Sequence, residues 1–144
     1  MAVQRRQALA LLLLPALPAA ATPETLAAAI LTLTGGAPRR DGRVEIEVAE
    51  LVENGNAVPV VLRVPGSPMT AADHVQKLAL FTERNPVPDV AVFQLSPRNG
   101  RAQVATRIRL ATSQRLVALA QMSDGSWWQQ QANVIVTLAA CVEG

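Results

Sequence analysis

Hydrophobic and polar residues alternate in short runs over most of this chain, and the period is two from Arg43 onward. Val44, Ile46 and Val48 take turns with Glu45 and Glu47, which predicts a strand with one apolar and one wet face. Asn54-Gly55-Asn56 is a turn signal, and residues 58–64 form a second run whose Pro59 suits a strand start or an edge. Pro65-Gly66-Ser67-Pro68 closes it. Further runs cover 75–82 and 90–95, separated by Asn85-Pro86-Val87-Pro88-Asp89, and residues 96–100 make the next turn. Ala102, Val104, Thr106, Ile108 and Leu110 then share one side of a strand, opposite Arg101, Gln103, Arg107 and Arg109. Within residues 115–121, Leu116, Ala118 and Ala120 oppose Val117 and Leu119, which predicts burial of both faces. After the turn at 123–126, residues 127–138 make the last strand. Seven strands with turns at short spacing predict an all-β, immunoglobulin-like antiparallel β-sandwich.

Before these strands the period is helical. Thr22 is placed to cap a short helix, with Pro23 at its first position, Glu24 near its positive end, and Leu26, Ile30 and Leu33 on one face. Gly35-Gly36 stops it, and residues 37–42 read as an exposed loop in which Arg39-Arg40 is a solvated pair. Residues 1–21 have a basic start, an apolar run from Ala8 to Leu14 and a small-residue end at Ala19-Ala20-Ala21, the pattern of an export signal. The run is too short for a membrane anchor, and Pro15 and Pro18 interrupt its continuation. Gln4-Arg5-Arg6-Gln7-Ala8-Leu9 is similar to a twin-arginine signal without the usual Phe. The division is therefore an export signal over 1–21, a β-sandwich domain with its helix over 22–138, and a cysteine arm over 139–144, in a protein expected in the periplasm.

Composition narrows the class. The chain has 144 residues, half of them hydrophobic, which is enough for one domain with its own core. With two Phe, two Trp and no Tyr, that core rests on Val, Leu, Ile and Ala. Arg5 and Arg6 lie in the export segment; without those two, the 13 Lys and Arg fall to eleven, equal to the 11 Asp and Glu. That balance gives no electrostatic case for nucleic acid or an anionic membrane.

Few residues suggest chemistry. His74 is the single histidine, and one imidazole beside Asp73 makes neither a metal site nor a catalytic dyad; it suits an ordinary loop. No nucleophile elbow, phosphate loop or paired-carboxylate spacing is present, so neither a catalytic site nor a cofactor is expected. Trp127 and Trp128 are adjacent, so in a strand they point to opposite faces. One of them is a candidate partner interface, against the commoner alternative of core packing. Arg101, Arg107 and Arg109 read as a solvated sheet face.

Cys141 is the one cysteine, so no internal disulfide can form. Packed to the end of the last strand it would be a small hydrophobe; near a fraying end it is an accessible thiol. In an exported protein such a thiol is open to oxidation unless it is used. Ala139, Ala140, Val142 and Glu143 surround it. Glu143 and the terminal carboxylate disfavour the thiolate and make the isolated thiol a poorer nucleophile.

From Gly42 onward the chain resembles the SoxY family, exported carrier subunits of the sulfur-oxidation system. The likeness rests on Glu53-Asn54-Gly55-Asn56-x-Val58-Pro59, Ser67-Pro68-Met69, Asn85-Pro86-x-Pro88-Asp89-Val90-Ala91-x-Phe93, Thr106-Arg107-Ile108-Arg109-Leu110-Ala111 and Met122-Ser123-Asp124-Gly125. The resemblance implies an immunoglobulin-like fold, pairing with a SoxZ-like subunit, and sulfur intermediates carried on a cysteine of a C-terminal arm, which by position is Cys141. It further implies a non-catalytic protein served by enzymes such as a SoxAX-type cytochrome and a SoxB-type hydrolase. In typical members glycine pairs flank the cysteine; Ala139-Ala140 and Val142-Glu143 instead resemble the SoxY-related subgroup named for an Ala-Ala-Cys-Ile-Glu arm. Alanine and valine narrow the conformations open to the arm and add bulk. The alternative is a binding or assembly module whose cysteine only crosslinks two chains.

Overall fold

The computed structural model describes residues 23–138, so the export segment expected over 1–21 and the arm expected over 139–144 lie outside the described residues. The helix α1 (Pro23–Thr34) carries Glu24 in its first turn. Proline costs nothing there because the first N–H groups have no intrahelical acceptor, and a carboxylate near that end meets the positive pole of the helix dipole. Gly35 and Gly36, at φ 63° and 82°, adopt the left-handed conformation that ends the helix. Leu26 and Ile30, one turn apart, are buried, and Leu33 is half-buried.

The strands among the described residues are β1 (Arg39–Asp41), β2 (Glu45–Glu47), β3 (Leu51–Val52), β4 (Val58–Arg63), β5 (Val75–Thr82), β6 (Asp89–Gln94), β7 (Gln103–Ile108), β8 (Gln114–Met122) and β9 (Trp127–Val136). The larger sheet runs β1-β9-β8-β5-β6, with β3 also on β9; the smaller runs β2-β4-β7.

The central strands β5 and β8 explain how the layers are ordered. They pair antiparallel from Val75↔Met122 to Thr82↔Leu116 and are almost wholly buried. Leu78, Leu80, Leu116, Ala118 and Ala120 face the smaller sheet and meet Val58, Val60 and Leu62. Ala79, Phe81, Val117 and Leu119 face the other way and, with Trp127, receive Leu26 and Ile30 of α1. A sheet covered on both sides needs strands that are apolar at successive positions, which is what residues 116–120 display. Each of the Val, Leu, Ile and Phe side chains contributes about 1.5–3 kcal/mol by leaving water, and the alanines less. This is the immunoglobulin-like β-sandwich with a short N-terminal helix that the sequence predicts. Among the described residues no helix is long and apolar enough to cross a membrane.

Two details along β9 and one in the smaller sheet differ from expectation. Residues 39–41, read as loop, form β1, parallel to β9 from Arg39↔Trp127 to Asp41↔Gln129. Leu51 and Val52, unassigned in the sequence, form β3, also parallel to β9, at Ile135 and Val136. The predicted strand at 43–48 shortens to Glu45–Glu47, with Arg43 before it at a left-handed φ of 59°. The backbone of β9 supplies the order of β1 and β3, whereas β2 is held by β4; the side chains of β1 are all exposed and give no alternation to read. The main ladders are antiparallel as predicted; these two short pairings add a parallel border.

Candidate functional site

The strand β9 leads directly to the segment that holds Cys141, so its last turns of ladder define the foot of the candidate site. On one side β8 accompanies it as far as Gln114↔Val134. There the ladder stops, and the Ser113 hydroxyl takes over by accepting the Val136 N–H at 2.8 Å. On the other side the Ile135, Thr137 and Leu138 N–H groups donate to the carbonyls of Glu50, Val52 and Glu53 at 2.8, 3.0 and 3.1 Å. The Leu138 carbonyl in turn accepts the Gly55 N–H at 2.8 Å. The Thr137 hydroxyl donates to the Glu53 carbonyl at 3.2 Å. Leu138, the last described residue, is therefore paired through both its N–H and its C=O.

Around this foot large aliphatic side chains are exposed among polar ones. Leu51 and Ile135 are direct partners across the parallel pair, and with Leu138 they are 59%, 60% and 61% exposed. Single exposed aliphatics are ordinary; Leu51 and Ile135, paired across the strands, set two large ones side by side, and Leu138 follows three residues on. Beside them a shallow groove of about 490 Å³ lies between β2 and β9, with Ile46, Val48 and Ala132 on its walls and Glu50 at its rim. Sequence reasoning passed over Leu51, Ser113 and Thr137. Only the apolar pair Leu51-Val52 between Glu50 and Glu53 hinted at them, and two residues are too short for periodicity.

Of the residues singled out from the sequence, Cys141, Ala139, Ala140, Val142 and Glu143 lie outside the described residues. The tryptophans separate as adjacent strand residues must. Trp127 is 3% exposed under α1, so it packs the core and offers no surface to a partner, a correction to that half of the expected interface. Trp128 is half-buried, its indole N–H donating to the Ser126 hydroxyl at 3.2 Å. The Arg40 and Arg43 guanidinium groups lie over its ring at 5.8 and 5.3 Å from the centroid. Arg101, Arg107 and Arg109 are exposed.

His74 sits in a loop. Its Nδ1 is 2.9 Å from the Thr70 carbonyl, and its backbone N–H donates to the Ser123 hydroxyl at 3.1 Å. Among the described residues no group of three or more His, Cys, Asp or Glu is placed to hold a metal ion. Two charged groups depart from ordinary behaviour. Hydrogen bonds from Ser126 hold the Asp124 carboxyl below its usual range, with a smaller contribution from the Arg43 charge. Bonding to Glu45, then the charges of Glu47 and Glu45, raises the pKa of Arg63, which spans both carboxylates at 2.9 and 3.0 Å and ties β2 to β4.

Two sheets, one helix over the larger of them, and a last strand bonded on both edges up to a cysteine-bearing segment define an immunoglobulin-like sandwich that presents its C-terminal side. The family profile described as sulfur oxidation protein SoxY matches residues 30–141, and the chain belongs to the SoxY family. Among solved structures it is similar to the sulfur carrier protein SoxY from Chlorobium limicola f thiosulfatophilum. That match has 28% identity and a TM-score of 0.67, over 80% of this chain and 98% of that one. It is also similar to the superoxide reductase (neelaredoxin) from Ignicoccus hospitalis, at 19% identity and a TM-score of 0.59, over 81% and 94%. At that identity the second likeness describes the fold alone. No curated protein sequence matches the chain.

Proposed function

We propose that this protein is an exported carrier that holds sulfur-oxidation intermediates covalently on Cys141 and offers them to partner enzymes without catalysing a step itself. The observation that carries the reading is the double pairing of Leu138. A carrier needs a fixed origin for its reactive group, and the Glu50–Gly55 segment provides one three residues before the cysteine. Three residues of chain span at most about 10–11 Å, so the sulfur works within that radius of the foot. Family membership and the likeness to a sulfur carrier protein support the same reading.

In this scheme thiosulfate couples to the thiol: a sulfur–sulfur bond forms at Sγ, the thiol proton leaves, and two electrons pass to a cytochrome of SoxAX type. A SoxB-type hydrolase then releases sulfate by addition of water, leaving sulfane sulfur on the cysteine for further oxidation. Leu51, Ile135 and Leu138 give such enzymes an apolar footing beside the arm. A SoxZ-like subunit completes the carrier, and residues 1–21 direct it to the periplasm.

The test is replacement of Cys141 by Ser in the source organism. The carrier reading expects loss of growth on reduced sulfur compounds with the folded protein still present. Retained growth, with loss only of a disulfide-linked dimer on a non-reducing gel, would instead favour a simple crosslinking role.

A further inference from the structure

We propose that Trp128, Arg40 and Arg43 form a docking surface for a carboxylate-rich segment of a partner protein, at the end of β9 remote from the cysteine segment. Arg40 is the direct partner of Trp128 in the β1–β9 pairing, which brings its guanidinium to 5.8 Å from the indole centroid. Arg43 reaches the same ring at 5.3 Å from a backbone φ of 59°. A non-glycine residue pays to sit in the left-handed region, and here the conformation accompanies a second cation over the same ring.

Both arginines are exposed, and neither belongs to an ion pair among the described residues. Arg39 and Asp41 point to the opposite, helix-bearing face of the sheet, where both bond the Gln129 amide. Asp124 offsets part of the Arg43 charge and Arg40 has no acidic partner among the described residues, which leaves the patch net positive. A guanidinium held over indole at these distances keeps N–H groups open to a carboxylate, which its fork matches in a two-point contact. Contact with the ring also restricts the side chains beforehand, so less freedom is lost on binding. Tryptophan and arginine are the residues on which protein interfaces most often concentrate their binding energy. Two guanidinium groups held at one indole fit two neighbouring carboxylates of an acidic segment, one for each fork.

About ten residues of strand separate Trp128 from Leu138, roughly 34 Å at strand spacing, beyond the reach of Cys141. A partner held at this end therefore leaves the thiol free. The surface makes no use of the cysteine, so the experiment is done on the full chain carrying Cys141→Ser, and its outcome is separable from the carrier reading.

Fluorescein-labelled octaglutamate is titrated with this protein and followed by anisotropy. Arg40→Gln with Arg43→Gln is expected to weaken binding about tenfold or more, whereas Arg107→Gln with Arg109→Gln, an equal change of charge elsewhere on the surface, leaves it nearly unchanged. Arg40→Lys, which keeps the charge and loses the planar fork, is expected to weaken it several-fold by itself. Absent binding, or equal losses from both double variants, would overturn the proposal. Displacement by sulfate far beyond that by chloride at matched ionic strength would overturn it in favour of a small-anion site.

Discussion

The reactivity of Cys141 depends on how readily it gives up its proton, because the thiolate is the nucleophile. Glu143 lies two residues away, and its charge opposes formation of a second negative charge. Glu143→Gln is therefore expected to raise the rate of Cys141 alkylation by iodoacetamide about two- to threefold near neutral pH, the scale of one screened charge. An unchanged rate at every pH would contradict the charge effect. Asp124 gives a second residue-level test. Its carboxylate accepts the Ser126 N–H at 2.8 Å and its pKa is lowered in the fold. A lowered folded pKa means the stabilisation is fully present above the ordinary value of 3.8 and disappears as pH falls through the lower folded value. Asp124→Asn should thus lower the urea midpoint at neutral pH, and the difference from wild type should vanish in acid. A difference that persists unchanged in acid would show that charge plays no part.

At the scale of elements, α1 is held to the outer face of the larger sheet by Leu26 and Ile30 against Phe81, Val117, Leu119 and Trp127. Removing either aliphatic leaves a gap against strands that are already fixed by their ladders. Leu26→Ala is expected to cost about 2–4 kcal/mol in urea unfolding and to make the helix accessible to proteases before the sandwich. Loss of helix and sheet in one step with no early cleavage would contradict a separately docked helix. The helix was legible because its start, apolar face and stop all lie in local sequence: Pro23, Leu26 with Ile30, and Gly35-Gly36. The strands of both sheets were legible because each must show apolar residues to a buried face. Residues 39–41 and Leu51-Val52 were not, since their order comes from hydrogen bonds to β9 and their side chains carry no repeating signal. Adjacency of Trp127 and Trp128 announced that one would be covered; only the placement of α1 decides which.

At the scale of the whole molecule, β9 joins two surfaces of different character. At its start Trp128 has two arginines over its ring, and near its end Leu51, Ile135 and Leu138 are exposed before the cysteine segment. That foot was only half legible: Cys141 stood out in the sequence by being single and late, whereas the anchoring of Leu138 by Glu53 and Gly55 required the fold to bring residues more than eighty positions apart together. The division suits a carrier, which must be gripped in one place and processed in another. The central claim is that sulfur is borne on one atom. Peptide mass spectrometry of the protein recovered, without reductant, from cells oxidising a reduced sulfur compound tests it most directly. The account predicts added sulfur-containing mass on the peptide that holds Cys141, removed by reducing agents and missing from Cys141→Ser. A peptide carrying only free thiol under the same conditions would contradict it.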